Sequence, residues 1–86
     1  MLNVKILVLG VGNIGFTAAL DMVESGYEVG VADRDYRRIE VVSRKLGVEG
    51  FKVDVKSGEE LSKVCSNFDL VCVALPGYIS FNSVER

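Results

Sequence analysis

The fold of this chain is decided by the stretch Lys5-Ile6-Leu7-Val8-Leu9-Gly10-Val11-Gly12-Asn13-Ile14-Gly15. An apolar run ends at Gly10, and the spacing G-x-G-x-x-G that follows is typical of a strand turning directly into a helix. Gly10 suits a tight turn, Gly12 lets a ligand approach the backbone, and Gly15 lets the helix pack closely on the sheet. Because the first N–H groups of a helix have no intrahelical partner, this junction is predicted to bind a phosphate group.

The composition describes one small folded domain. The chain has 86 residues, 49% of them hydrophobic, and a formal net charge of −2. This apolar content excludes a disordered chain, and the near-neutral charge gives no electrostatic footprint for nucleic acid. No apolar run approaches the roughly 18 residues that span a membrane, and the amino terminus lacks a signal-peptide pattern, so no membrane insertion is expected.

The two cysteines indicate a reducing compartment. Cys65 and Cys72 are not spaced as a C-x-x-C pair, and the chain contains no His. A Cys/His metal site or a disulfide framework is therefore not expected, and both thiols are interpreted as small buried hydrophobes. These observations favour a cytoplasmic location.

Apolar runs alternate with segments of helical periodicity along the chain. Strands are predicted at residues 4–9, 28–32, 51–55 and 70–74, and helices at 13–25, 35–46 and 57–66. This βαβαβαβ order requires a parallel sheet with helices on both faces, and right-handed crossovers give the strand order 3-2-1-4. We therefore predict that residues 1–86 form a partial domain of the Rossmann-like, doubly wound α/β class, a three-layer α/β/α arrangement truncated after the fourth strand.

Local signals punctuate the helices and the end of the chain. Asp35 is predicted to cap the second helix, Gly47 to end it, and Ser57 with Glu60 to form a capping box for the third. After the Pro-Gly turn, residues 79–86 are suited to begin another helix. The fourth strand would then be an exposed apolar edge. Two explanations are open: the chain is a fragment that lacks a substrate domain, or a second copy covers the edge.

The ligand crevice is expected beside the switch point between strands one and four. Asp33, at the end of strand two, is placed to accept hydrogen bonds from the ribose of an adenosine, which favours NAD over NADP. Arg34 is open to three interpretations: it pairs with the 2′-phosphate of NADP, it stacks on the adenine, or it is a solvated loop charge. Asn13 is equally interpreted as a phosphate contact or as a helix N-cap. The pyrophosphate is expected against the backbone N–H groups of Gly10, Gly12, Asn13, Ile14 and Gly15.

Two further strand ends contribute candidate site residues. Asp54 and Val55 close strand three beside the expected adenine position, where Asp54 either accepts from the adenine amino group or caps a turn. Ala74, Leu75 and Pro76 either wall the crevice near the nicotinamide-side ribose or form only a strand end and turn. The cations of helix two are interpreted as a solvated face: Arg37, Arg38, Arg44 and Lys45.

No catalytic residue is assigned from the sequence. The chain has no His, and its lysines and tyrosines carry no flanking catalytic signature. Hydride transfer is the chemistry of the cofactor, but the protein must also position a substrate. Nothing in the sequence forms a substrate pocket, so these residues alone are not expected to turn over substrate.

The motifs resemble one family over nearly the whole chain. The segments Ile6–Gly15, Ser25–Val29, Val31–Arg34, Val53–Val55 and Ala74–Tyr78, with Asn82 following, look like the amino-terminal domain of saccharopine dehydrogenase-like proteins, including lysine dehydrogenases and saccharopine reductases. The resemblance implies an NAD(P)-dependent oxidoreductase that transfers hydride at an amino-acid C–N bond. It also implies a carboxy-terminal domain that binds substrate and completes a dimer. The family's catalytic residues lie beyond Arg86, so none is carried over.

A second class shares part of the pattern. The regulatory nucleotide-binding domains of potassium transporters have the same glycine motif, an acid after strand two and an Asp after strand three. They sense ligands in assembly with a membrane partner and do not catalyse. The segment Ala74-Leu75-Pro76 is not expected in them, and it favours the dehydrogenase interpretation.

Overall fold

The computed structural model describes residues 4–54, 56–75 and 78–83. They form eight elements, most of them close to the predicted bounds: β1 (Lys5–Leu9), α1 (Asn13–Glu24), β2 (Glu28–Asp33), α2 (Tyr36–Leu46), β3 (Glu49–Lys52), α3 (Gly58–Cys65), β4 (Leu70–Leu75) and β5 (Tyr78–Ser83). The strands make one five-stranded sheet in the order β3-β2-β1-β4-β5.

The parallel part of the sheet confirms the predicted class of fold. β1 pairs in parallel with β2 on one side and with β4 on the other, and β2 pairs in parallel with β3. A helix connects each strand to the next in this part of the chain, as parallel neighbours require. The strand order reverses between β1 and β4, so the carboxyl ends of these two strands flank a crevice at one edge of the sheet.

The region after β4 corrects two expectations. Tyr78–Ser83 forms a strand antiparallel to β4, with Leu75 opposite Tyr78 and Leu70 opposite Ser83. The prediction of a helix over 79–86 was wrong for the described residues, and the segment Ile79-Ser80-Phe81-Asn82 within them alternates apolar and polar residues with the period of a strand. The sheet is therefore not truncated at β4. β5 of the same chain covers that edge of β4.

The third strand lies earlier than predicted. β3 spans Glu49–Lys52, and Val53 and Asp54 follow it, while residue 55 lies outside the described residues. A Cβ added at Gly50 would overlap a side-chain carbon of Ile39, so this glycine lets α2 lie close to the strand. Because Glu49 and Gly50 carry no apolar signal, the periodicity alone placed the strand too late.

The core lies on both faces of the sheet. Val8, Val31 and Cys72 are fully buried on the face covered by α1 and α2, whereas Leu7 and Ala32 are fully buried on the opposite face beneath α3. Adjacent residues of one strand thus enter opposite layers, which explains its continuous apolar run. Burial raises the pKa of the thiols of Cys72 and of the half-buried Cys65.

The predicted helix ends are largely confirmed. Asp35 caps α2 by accepting the Arg37 N–H at 3.0 Å, and Gly47 ends it in the left-handed conformation with φ 67°. At α3, Ser57 Oγ accepts the Glu60 N–H at 3.5 Å, a long contact. The Ser57 N–H donates to the Asp54 carbonyl at 2.9 Å, so its partner is a backbone oxygen and not the Glu60 side chain of a full capping box. Within the described ranges, no helix combines the length and apolarity needed to cross a membrane. The cytoplasmic location stays a prediction.

The cap at Asp35 gives a first testable prediction. Asp35→Ala removes the acceptor of the Arg37 N–H and should lower the free energy of unfolding by about 1 kcal/mol. Asp35→Asn keeps an oxygen at the same place and should retain most of the stability. Urea unfolding of the two variants measures the difference, and equal losses would show that the cap does not stabilise α2.

Candidate functional site

The turn between β1 and α1 exposes backbone N–H groups at the carboxyl edge of the sheet. The glycine loop (residues 10–12) begins at Gly10, whose φ of 93° lies in the left-handed region that favours glycine. Its N–H donates to the Ala32 carbonyl at 2.8 Å and so continues the pairing of β1 with β2. Gly12 is the N-cap of α1 and provides no side-chain capping bond. The first N–H groups of α1 are therefore left for an external acceptor.

Asn13 is not the N-cap. It is the first residue of α1, one position after the cap, so the capping interpretation of Asn13 was wrong. Its carbonyl oxygen accepts the Thr17 hydroxyl at 2.9 Å, as a helical position permits. Its exposed side chain lines the crevice described below.

The two later glycines of the motif have different surroundings. A Cβ added at Gly15 would overlap the carbonyl oxygen of Gly10 and lie 3.5 Å from the Ala74 Cβ. A Cβ added at Gly12 would meet nothing within 4 Å. Gly15 therefore lets α1 pack against the glycine loop, whereas Gly12 leaves open space above the backbone.

A cavity of about 550 Å³ lies at the switch point, in contact with the glycine loop. This volume is in the range of small-molecule and cofactor sites. The cavity combines an apolar floor with a charged rim. Its lining consists of Leu9, Gly10, Gly12, Asn13, Ile14, Asp33, Arg34, Arg38, Val53, Asp54, Lys56 and Ala74.

The cavity brings together most of the residues proposed from the sequence, from the glycine loop, the end of β2, the residues after β3 and the end of β4. Gly15 belongs to α1 and lies behind the loop, buried against the backbone of Gly10 and the end of β4. Leu75 is the last residue of β4. Val55 and Pro76 lie outside the described residues.

Four residues of the cavity lining were not predicted as site residues from the sequence. Leu9 and Val53 add apolar surface, and Arg38 and Lys56 add positive charge. Arg38 was assigned only to a solvated face, but it is the third residue of α2, and helical side chains point back toward the helix N-terminus. Because α2 begins just after Asp33, this direction carries Arg38 to the cavity. Its place in the first turn was the signal that could have found it.

Both carboxylates at the rim of the cavity accept hydrogen bonds from backbone N–H groups. Asp33 is half-buried and accepts the Val11 N–H through Oδ2 and the Asp35 N–H through Oδ1, both at 2.9 Å. Asp54 Oδ1 accepts the Lys56 N–H at 2.9 Å, so Asp54 caps a turn and also lines the cavity. The lining carries three cations, Arg34, Arg38 and Lys56, beside its two carboxylates, and Arg38 also pairs with Asp35 at 3.6 Å, so the charges around the rim are close to balanced.

The strand order, the glycine-lined junction and the cavity at the switch point define a dinucleotide-binding domain of the Rossmann type. The sequence matches a family model described as "Saccharopine dehydrogenase NADP binding domain" over residues 6–86. The chain belongs to this family, which confirms the resemblance seen in its motifs. A search of curated proteins found no match.

Solved structures share the fold. Saccharopine dehydrogenase (L-Glu forming) from Saccharomyces cerevisiae matches with a TM-score of 0.74 and 24% identity over 86% of this chain and 17% of that chain. A transhydrogenase from Sinorhizobium meliloti matches with a TM-score of 0.71 and 23% identity over 85% of this chain and 22% of its own. Scyllo-inositol dehydrogenase from Lactobacillus casei, solved with NAD(H) and scyllo-inositol, matches with a TM-score of 0.68 and 18% identity, over 87% and 22%. This chain thus spans about a fifth of the length of each.

Proposed function

We propose that this chain binds a nicotinamide dinucleotide and serves as the cofactor-binding part of an oxidoreductase that transfers hydride at an amino-acid C–N bond. One observation carries the binding proposal: the space above Gly12 is open, and it faces a cavity of about 550 Å³ at the switch point of the sheet. A pyrophosphate there would meet unpartnered N–H groups and the positive end of the α1 dipole.

The lining suggests how the two ends of the dinucleotide divide the cavity. The adenosine end would lie toward the charged rim at β2 and β3, where Asp33, Arg34 and Asp54 line the wall. The nicotinamide end would lie toward β4, where the wall is formed by the buried Ala74. The bound cofactor would supply the hydride, while these residues bind and orient it.

The reaction at an amino-acid C–N bond is proposed from the family and from the yeast saccharopine dehydrogenase that shares the fold. This chain spans 17% of that enzyme. We therefore place substrate binding in a further domain of a longer protein. The full gene product should transfer hydride between the nicotinamide and basic amino acids or their imine adducts. The assay follows this reaction through the absorbance of the reduced nicotinamide. Binding of the dinucleotide without turnover of any such substrate would contradict this part.

Calorimetric titration tests the binding proposal directly. NAD and NADP should each bind at least tenfold more tightly than inorganic pyrophosphate or sulfate, because the cavity contacts the nucleosides as well as the phosphates. If the dinucleotides bind no better than these anions, the proposed function is wrong.

For the choice of cofactor, we propose NADP(H) as a ligand beside NAD(H). The carboxylate of Asp33 predicted NAD from the sequence, whereas the family description names NADP and Arg34, Arg38 and Lys56 add positive charge to the rim. Arg34 directly follows Asp33 and is exposed, so its guanidinium is the first candidate to pair with a 2′-phosphate.

A substitution at Arg34 tests this choice. Arg34→Ala should weaken NADP binding about tenfold and leave NAD binding within about twofold, because only NADP carries the 2′-phosphate. Arg44→Ala is the matched control, since Arg44 also lies in the α2 region but pairs with Glu40 at 2.9 Å and is absent from the cavity lining. Equal losses for both dinucleotides in Arg34→Ala would refute a role for Arg34 in recognising the 2′-phosphate.

A further inference from the structure

Asp33 accepts hydrogen bonds from three separate parts of the site. Its Oδ2 accepts the Val11 N–H in the glycine loop, and its Oδ1 accepts the Asp35 N–H at the cap of α2, both at 2.9 Å. Its backbone carbonyl accepts the Val53 N–H at 3.0 Å beside the cavity. The end of β2 is thereby tied to the glycine loop, to α2 and to the chain after β3.

The bond to Val11 constrains a segment of backbone that lies between two glycines. Val11 lies between two glycines, which lose more conformational freedom on folding than any other residue. Val11 is only 4% exposed, so its N–H needs an acceptor inside the protein. A carboxylate is a strong acceptor for a backbone N–H, and this bond orients the peptide between Gly10 and Val11 in the glycine loop.

The same contacts limit what the carboxylate can offer a ribose. Each oxygen of Asp33 already accepts one backbone N–H, so about half of its lone-pair sites are used within the protein. A ligand that drew the carboxylate away from these donors would release the Val11 N–H. The contacts of Asp33 therefore support the shape of the phosphate site more directly than they select the sugar.

The geometry points to Asp33 as a positioning residue, whose carboxylate holds the glycine loop in the shape that accepts a pyrophosphate, for NAD and NADP alike. This inference rests on the proposed dinucleotide binding and deepens it. It departs from the role expected from the sequence, in which the carboxylate bonds the ribose and selects NAD. Since both dinucleotides carry the pyrophosphate, loss of the carboxylate should weaken the binding of NAD and of NADP by a similar factor.

A pair of variants with the same change of charge tests the inference. Asp33→Ala removes both acceptors, whereas Asp33→Asn keeps one oxygen that can accept the Val11 N–H. Each variant is titrated with NAD and NADP, and hydrogen exchange of the Val11 amide is measured without ligand. Asp69→Ala is the control: Asp69 Oδ2 accepts the Lys5 N–H at 3.0 Å, at the start of β1 and the opposite edge of the sheet.

We expect Asp33→Ala to weaken both dinucleotides about tenfold, with the ratio of the two affinities unchanged within about twofold. Asp33→Asn should lose less affinity for both dinucleotides than Asp33→Ala does. The Val11 amide should exchange its hydrogen faster in Asp33→Ala than in the wild type. Asp69→Ala should bind both as the wild type does. These results would separate loss of the loop contact from a general loss of stability.

Other results would overturn the inference. Weaker NAD binding with equal or stronger NADP binding, in either Asp33 variant, would assign the carboxylate to selection of the sugar. Asp33→Asn supplies this comparison even if Asp33→Ala does not fold. If the wild type binds neither dinucleotide, the proposed function fails, whereas unchanged exchange of the Val11 amide in Asp33→Ala would overturn the positioning role on its own.

Discussion

Gly12→Val is expected to abolish dinucleotide binding while the domain stays folded. A Cβ at position 12 meets no atom within 4 Å among the residues that the structure describes, and the backbone φ of −71° suits any residue. The valine side chain would fill the space through which a pyrophosphate reaches the N–H groups of α1. Losing two or more charge-assisted hydrogen bonds should weaken NAD and NADP binding at least about a hundredfold.

Calorimetry and thermal unfolding measure the two effects separately. The free energy of unfolding of Gly12→Val should be less than about 1 kcal/mol below that of the wild type, which is the scale of an altered N-cap. Gly58→Val is the matched control, because Gly58 lies at the start of α3, a Cβ there also meets nothing within 4 Å, and it is not part of the cavity lining. It should bind both dinucleotides normally. Wild-type affinity in Gly12→Val would show that the phosphates do not lie at this loop.

Gly15→Ala is expected to destabilise the fold itself. The added Cβ would overlap the carbonyl oxygen of Gly10, which is backbone, and would have the Ala74 Cβ 3.5 Å away. Neither neighbour can rotate aside as a flexible side chain would, so α1 must move away from the sheet. Overpacking of this kind costs about 3 kcal/mol, a large share of the stability of so small a domain. The melting temperature should fall by about 15 °C.

Gly12→Ala is the control for this effect. It makes the same chemical change three positions earlier, where the added Cβ has open space. Thermal unfolding followed by circular dichroism should show a large fall in melting temperature for Gly15→Ala and a small fall for Gly12→Ala. Similar melting temperatures would mean that α1 does not approach the loop as closely as the structure has it.

The glycine motif predicted the centre of the site well because its signals are local. The spacing of Gly10, Gly12 and Gly15 requires only that a strand, a turn and a helix follow one another. The structure indeed has β1 ending at Leu9 and α1 beginning at Asn13. The strand order followed from general rules of parallel sheets, which need no contact information.

The errors arose where the local sequence pattern was weak or incomplete. β5 follows β4 after two residues and pairs with it antiparallel, but it was interpreted as a helix because its alternation of apolar and polar residues is confined to residues 79–82. β3 begins at Glu49 because β2 and α2 are adjacent to it, although its first residues are not apolar. Arg38 appears as a surface charge until the direction of α2 brings its side chain over the edge of the sheet.

The amino-acid sequence by itself determined the alternation of strands and helices, the strand order 3-2-1-4 and the position of the glycine turn between β1 and α1, since each depends on periodicity and short-range sterics. Only the tertiary structure decided that β5 covers β4, that Arg38 and Lys56 join the cavity, and that Asp33 bonds Val11. The contacts of Asp33 and Arg38 depend on residues far apart in the chain, whereas β4 and β5 are separated by only two residues. Asp33 and Val11 are 22 positions apart, yet a bond of 2.9 Å joins them because β1 and β2 end side by side.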